Sequence, residues 1–191
     1  MSLTKEKIVA NATKYFETAE KHGFATPELQ AFLGLDFVGA PASTTLKLHN
    51  AFEGGLIDHI LRVMKHAYLI NKNNLIADLK LSETSLFKIV LLHSIGKAKL
   101  YVVNDSEWHR KNQGKMYNFN EDLVSARVGE RSAYYALTNG VELNEEEYAA
   151  IVNFDKLDDA QAEWYNTTGG DLLKIAVRLA IMEEKHIANE D

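Results

Sequence analysis

Two histidines, His59 and His93, have the residue type and the setting for metal chemistry. Imidazole is a common ligand for divalent metals and changes charge near neutrality. His59 sits in a segment where Leu56, Ile60, Val63, Met64 and Ala67 recur at helical spacing, and His93 shares a helical face with Leu86, Ile89 and Val90. A histidine on an apolar face is more often a hydrogen-bonded core residue than a ligand, so the pair matters only if folding brings the two together. His66, seven residues after His59, lies on the same face and packs there. Ser94 follows His93, and a hydroxyl ionising far above neutrality does not supply the anionic oxygen that a hard divalent cation prefers. Nor do Ser94 and His93 make a nucleophile and base, because adjacent residues on a helix do not face each other.

Helices must position these side chains. Pro27 and Pro41 are the only prolines, so little interrupts helical segments. Apolar Ile8, Ala12, Tyr15, Phe16 and Ala19 predict a helix from Lys5 to His22, with Gly23 as its stop. Thr26, Pro27 and Glu28 form an N-terminal cap for a short helix ending near Gly34. Residues 35–53 read as irregular. A third helix is expected from Gly55 to Asn71, and a fourth begins after the cap residue Ser82. Tyr117 and Phe119 alternate beside Gln113-Gly114, which predicts a small β-hairpin within 102–120. Helices resume over 123–137. Asn144 and Glu147 make a capping box before Tyr148, Ala149, Ile151 and Val152, and a last helix spans 171–186. The expectation is one all-α domain over 1–191, with residues 1–36 a helical extension and 37–184 the core.

Bulk composition narrows the classes. A chain of 191 residues with 46% hydrophobic and 25% charged residues is a globular protein with a sizeable core. The absence of cysteine removes disulfides, thiolate metal sites and a cysteine nucleophile, which fits a cytoplasmic setting. A net charge of −6 argues against broad binding to nucleic acid or an anionic membrane. No apolar run approaches a membrane span, and residues 1–7 do not look like a signal peptide.

Several blocks, in order, resemble the HD-domain metal-dependent phosphohydrolases often encoded by bacteriophages and prophages. They are Ala40-Pro41-Ala42-Ser43-Thr44 and His49, then Phe52-Glu53-Gly54-Gly55-Leu56 and His59, then Leu92-His93-Ser94-Ile95-Gly96-Lys97. The stretch 108–119, Gly129-Glu130-Arg131-Ser132, and Glu146-Glu147-Tyr148-Ala149-Ala150-Ile151 match later blocks. The resemblance covers about 37–184 and implies an HD-like helical bundle with a hairpin insertion. It places His59 and His93 on metal-binding positions and Lys97 where a lysine faces substrate phosphate. His49 and Glu53 fall in the lining of the implied pocket. Ser94 stands where the family has the aspartate of its His-Asp pair. Val128, Phe154 and Ile181 stand at further ligand positions, with Asp155 one residue away from Phe154. Lys99, Arg110, Lys111 and Lys115 would add positive charge near the mouth, or form a solvated basic loop.

Apolar side chains at ligand positions read as the filling-in of a former metal cavity. The expected function is therefore a catalytically inactive HD-domain protein serving as a binding or assembly module, with affinity for nucleotide or phosphate retained at Lys97. No cofactor is expected of it. A metal-dependent nucleotide phosphohydrolase with a reduced site is the alternative, using Mn, Fe, Zn or Mg held by His59, His93 and Asp155. A third reading is a phage structural or complex component with a protein partner docked around Trp108 and Trp164, in the host cytoplasm or on the virion.

Overall fold

Short polar side chains fix where the helices begin. Thr4, Thr26, Ser82, Ser106 and Asn144 each accept a hydrogen bond from a first-turn amide. In the computed structural model, which describes residues 2–73, 80–156 and 166–190, the elements run α1 (Lys5–Lys21), α2 (Pro27–Gly39), α3 (Gly55–Asn73), α4 (Glu83–Leu92), a 3-10 turn (Ile95–Lys97), β1 (Tyr101–Val103), α5 (Glu107–Gln113), β2 (Tyr117–Phe119), α6 (Val128–Thr138), α7 (Glu145–Asn153) and α8 (Thr168–Glu190). The fold is all-α with a small two-stranded antiparallel sheet that pairs Tyr101 with Phe119 and Val103 with Tyr117. No helix among the described residues is long and apolar enough to cross a membrane. Trp164 lies outside the described residues.

Helix α3 is the axis of the core. Its Leu56, Ile57, Ile60, Val63 and Ala67 are buried, and it packs most extensively on α8 and further on α4, α1 and α2. Burying such a stripe is the main force holding a helical bundle together. Tyr15 of α1 is buried among these helices, edge-on to Phe37, and its hydroxyl donates to the Leu91 carbonyl at 2.9 Å. That bond ties α1 to the end of α4, next to His93.

Two details depart from the expected boundaries. The second helix does not stop at Gly34 but kinks there (φ 46°) and continues to Gly39, because Phe37 has a fully buried place beyond the kink. Helix α6 starts at Val128 rather than near Leu123, where the Arg127 amide donates to the Glu130 carboxylate at 3.3 Å. Gly96, in the 3-10 turn, allows α6 to lie almost in contact, since a Cβ there would fall 2.6 Å from the Val128 carbonyl oxygen. The turn after His93 is thus pinned to α6, where Ser132 Oγ donates to the His93 carbonyl and accepts from the Gly96 amide.

Candidate functional site

Four segments converge beside α3. His59 comes from the second turn of α3, His93 from the C-cap of α4, Glu184 from the last third of α8, and His49 from the 40–54 loop. That loop is held in place by Ala42 N–H to the Asn50 carbonyl, Leu56 N–H to the Ala40 carbonyl, and Ser43 Oγ–H to the His49 carbonyl at 2.6 Å. His59, His93 and Glu184 are buried and His49 is half-buried.

The geometry is close enough for a shared ligand. His59 Nδ1 and Glu184 Oε1 share a hydrogen bond of 2.8 Å. The His49 and His59 rings lie 4.8 Å apart, and His59 and His93 6.2 Å apart, centroid to centroid. One ligand atom from each of His49, His59 and Glu184 lies within 4.8 Å of the other two. Metal–ligand bonds of about 2.0–2.2 Å hold ligand atoms roughly 3–4 Å apart, so these three need contract only about 1 Å around an ion. His93 stands outside that group. Its Nδ1 donates to the Val90 carbonyl at 2.6 Å, which leaves the lone pair on Nε2.

Hydrogen bonding within the cluster is incomplete. His49 Nε2, His93 Nε2 and Glu184 Oε2 are buried with no partner. Buried polar atoms are rarely left unpaired, and a metal ligand is one of the few roles that explains one. Burial pushes the His49, His59 and His93 imidazoles down to about 3. It raises the Glu184 carboxyl to about 8, with Arg62 and Lys97 opposing. Burial also lowers the Lys97 ammonium to about 8 against the attraction of Glu184 and Asp155. The site therefore presents neutral imidazoles, the form that binds metals. Two imidazole nitrogens and one Glu184 oxygen, which must give up its proton to bind, make a mixed set suited to Zn, Fe or Mn.

The other sequence candidates are scattered around this centre. Lys97 reaches toward the same side and donates to the Ala42 carbonyl at 2.8 Å. Ser94 is buried beside His93. Phe154 presents its ring edge-on to His93 at 4.9 Å, so an apolar wall meets that histidine. Ile181 is half-buried on α8, one turn before Glu184. Val128 and Asp155 lie instead in a separate surface cleft, where Asp155 Oδ2 accepts from the Gly129 amide at 3.4 Å. Glu53 is exposed and lines another cleft with Lys99, Tyr101 and Tyr117. His66 binds Glu183 at 2.7 Å, which is also paired with Arg62 and Lys65 on the flank of the site. Lys99 lies over the Phe32 ring, Arg110 donates to the Asn104 carbonyl, and Lys111 pairs with Glu107.

Glu184 is the member that motif reasoning missed. Alignment by blocks points to Ile181, but Leu173, Ala176, Ala180 and Glu184 follow one another at spacings of three and four along the buried face of α8. That phase puts Glu184 on the α3-facing stripe. No protein-family model, curated protein or solved structure matches the chain.

Proposed function

We propose that this chain is an HD-like metal-binding module in which His49, His59 and Glu184 hold one divalent transition-metal ion, and that it works by binding rather than by turnover. One observation carries the reading: three potential ligand atoms gathered within 4.8 Å, with His49 Nε2 and Glu184 Oε2 buried and unpaired. The family resemblance supports it, since His59 falls on a ligand position there. By the same resemblance, the departures at Ser94, Val128, Phe154 and Ile181 remove four of the six ligands of a hydrolytic centre and leave His59 and His93. Glu184 compensates in part, returning one carboxylate to a site that lost its aspartates.

A bound divalent ion would supply a Lewis-acid charge to which an anionic ligand group is drawn. Lys97 would flank such a group with its ammonium, which suits a nucleotide or other phosphate. The test is metal content by mass spectrometry after loading with Mn, Fe(II) or Zn and exhaustive dialysis. About one ion per chain is expected in the wild type, with most of it lost in Glu184→Gln and His59→Ala. A wild-type protein that retains no metal overturns the proposal.

Nucleotide phosphohydrolysis is the second reading, favoured by Lys97, which donates to the Ala42 carbonyl of the loop that carries His49 and whose ammonium Glu184 helps to keep charged. Phosphate release from a nucleotide panel, with metal present and abolished by His59→Ala, would establish it. Metal retention without phosphate release supports the binding module.

A further inference from the structure

A cleft of about 490 Å³ opens between β2 and the start of α6, on residues that take no part in the histidine cluster. Its volume is within the range of small-molecule pockets. Leu100, Phe119, Leu123 and Val124 give it apolar walls, and Arg127 and Arg131 bring two guanidinium groups.

Arg131 is the anomaly. It is only 6% exposed, yet its Nη1 is buried with no hydrogen-bond partner. Its Nη2 donates to the Val124 carbonyl. Among the described residues no carboxylate lies within ion-pair distance of it. A buried guanidinium without an anion is costly, because its charge loses water without a paired opposite charge and its Nη1 donors are left unbonded. Asp155 is the acidic group in the cleft, but its Oδ2 accepts from the Gly129 amide while Arg127 donates to its backbone carbonyl. Two guanidinium groups against one carboxylate leave one positive charge in an apolar-walled cleft.

We infer that this cleft is a binding site for a small organic carboxylate with an aromatic or aliphatic body. The carboxylate pairs with Arg131, taking the place of the Val124 carbonyl at the end of the exposed 124–127 loop. The apolar body lies against Phe119 and Leu123. A planar fork matches a carboxylate with two parallel bonds, and one net charge suits a monoanion.

The test uses 3-phenylpropionate as probe, with 3-phenylpropanol, acetate and inorganic phosphate as controls. Binding is followed by calorimetry and by the Arg131 side-chain NMR signal. The acid is expected to bind with Kd of ~1 mM or tighter. The alcohol and acetate should be at least about tenfold weaker, since one lacks the charge and the other the apolar body. Arg131→Lys keeps the charge without the fork and should weaken binding about tenfold. Ala126→Trp fills the cleft from its exposed rim, and should abolish binding with metal content and melting temperature unchanged. Because that rim position is not in the core, it decides the matter even if Arg131→Lys folds poorly. Equal binding of acid and alcohol, tighter binding of phosphate than of the acid, unshifted Arg131 signals, or full binding by Ala126→Trp would each overturn the assignment.

Discussion

Asp58 and His59 are neighbours on α3, both buried, and they belong to opposite kinds of polar interior. Asp58 is fully engaged: Asn11 donates to Oδ1 at 3.3 Å, while Asn50 and Arg62 donate to Oδ2 at 3.1 and 3.0 Å. It joins α1, the 40–54 loop and α3 into one network. His59 faces the other way, into a cluster where His49, His93 and Glu184 each leave a buried atom unpaired. Satisfied buried networks specify a fold, whereas unsatisfied ones persist where a function requires them. The two residues thus separate a satisfied polar network from one left open to a ligand.

The sharpest way to break that contrast is Asp58→Ala. It removes the shared acceptor of Asn11, Asn50 and Arg62 at once, so a loss of about 3 kcal/mol is expected. For a chain of this size that lowers the melting temperature of the metal-free protein by roughly 6–12 °C. A shift under about 2 °C would mean that the network is not structural.

Glu184→Gln probes the other side. Replacing the carboxylate with an amide keeps the shape and a hydrogen bond to His59 but removes the charge. Metal affinity should fall about 100-fold, measured by competition with a chelator, while the metal-free protein loses less than about 1 kcal/mol. Equal losses in Asp58→Ala and Glu184→Gln, in both affinity and stability, would erase the distinction.

Acidity acts on the same cluster with opposite signs. In metal-free protein, His49, His59 and His93 are held neutral down to about 3. The unfolded chain takes up those protons near 6.5, so stability is intact above that pH and is lost as pH falls from 6.5 toward 3. Glu184 runs the other way. Its folded carboxyl keeps a proton up to about 8, and the unfolded one gives it up near 4.5, so its contribution fades as pH rises between the two. Each group changes stability by about 1.4 kcal/mol per pH unit inside its window. Urea titrations from pH 4 to 9 should show a steep acid limb and a shallow alkaline one, and only the alkaline limb should vanish in Glu184→Gln.

Much of this was legible in the sequence, and the failures share a cause. Helix caps at Thr26, Ser82 and Asn144 are local chemistry, and they fall where their residue types place them. The strand pair around Tyr117 and Phe119 was visible from alternation, although the α5 turn between the strands was not. The continuation of α2 past Gly34 depends on a buried place for Phe37 that other segments provide. The family resemblance directed attention to His59, His93 and Lys97. Glu184 escaped because its partner is 125 residues away, and only the phase of α8 against α3 joins them. Asp155, one residue from a ligand position by alignment, faces a different cleft because α7 ends at Asn153 and the chain turns toward Gly129.

The smallest expected effect falls on His93. Sequence pairs it with His59, but the structure gives it a backbone partner through Nδ1, an unpaired Nε2 and the edge of Phe154. His93→Leu loses one hydrogen bond to the Val90 carbonyl and removes one buried unpaired nitrogen, two effects of similar size and opposite sign. Stability should change by less than about 1 kcal/mol. Metal content should equal that of the wild type, because His93 stands outside the group formed by His49, His59 and Glu184. Retained metal in His93→Leu beside lost metal in His59→Ala would show that two histidines at matching motif positions have parted in role. Loss in both would bring His93 into the coordination set and require the Phe154 edge to give way around the ion.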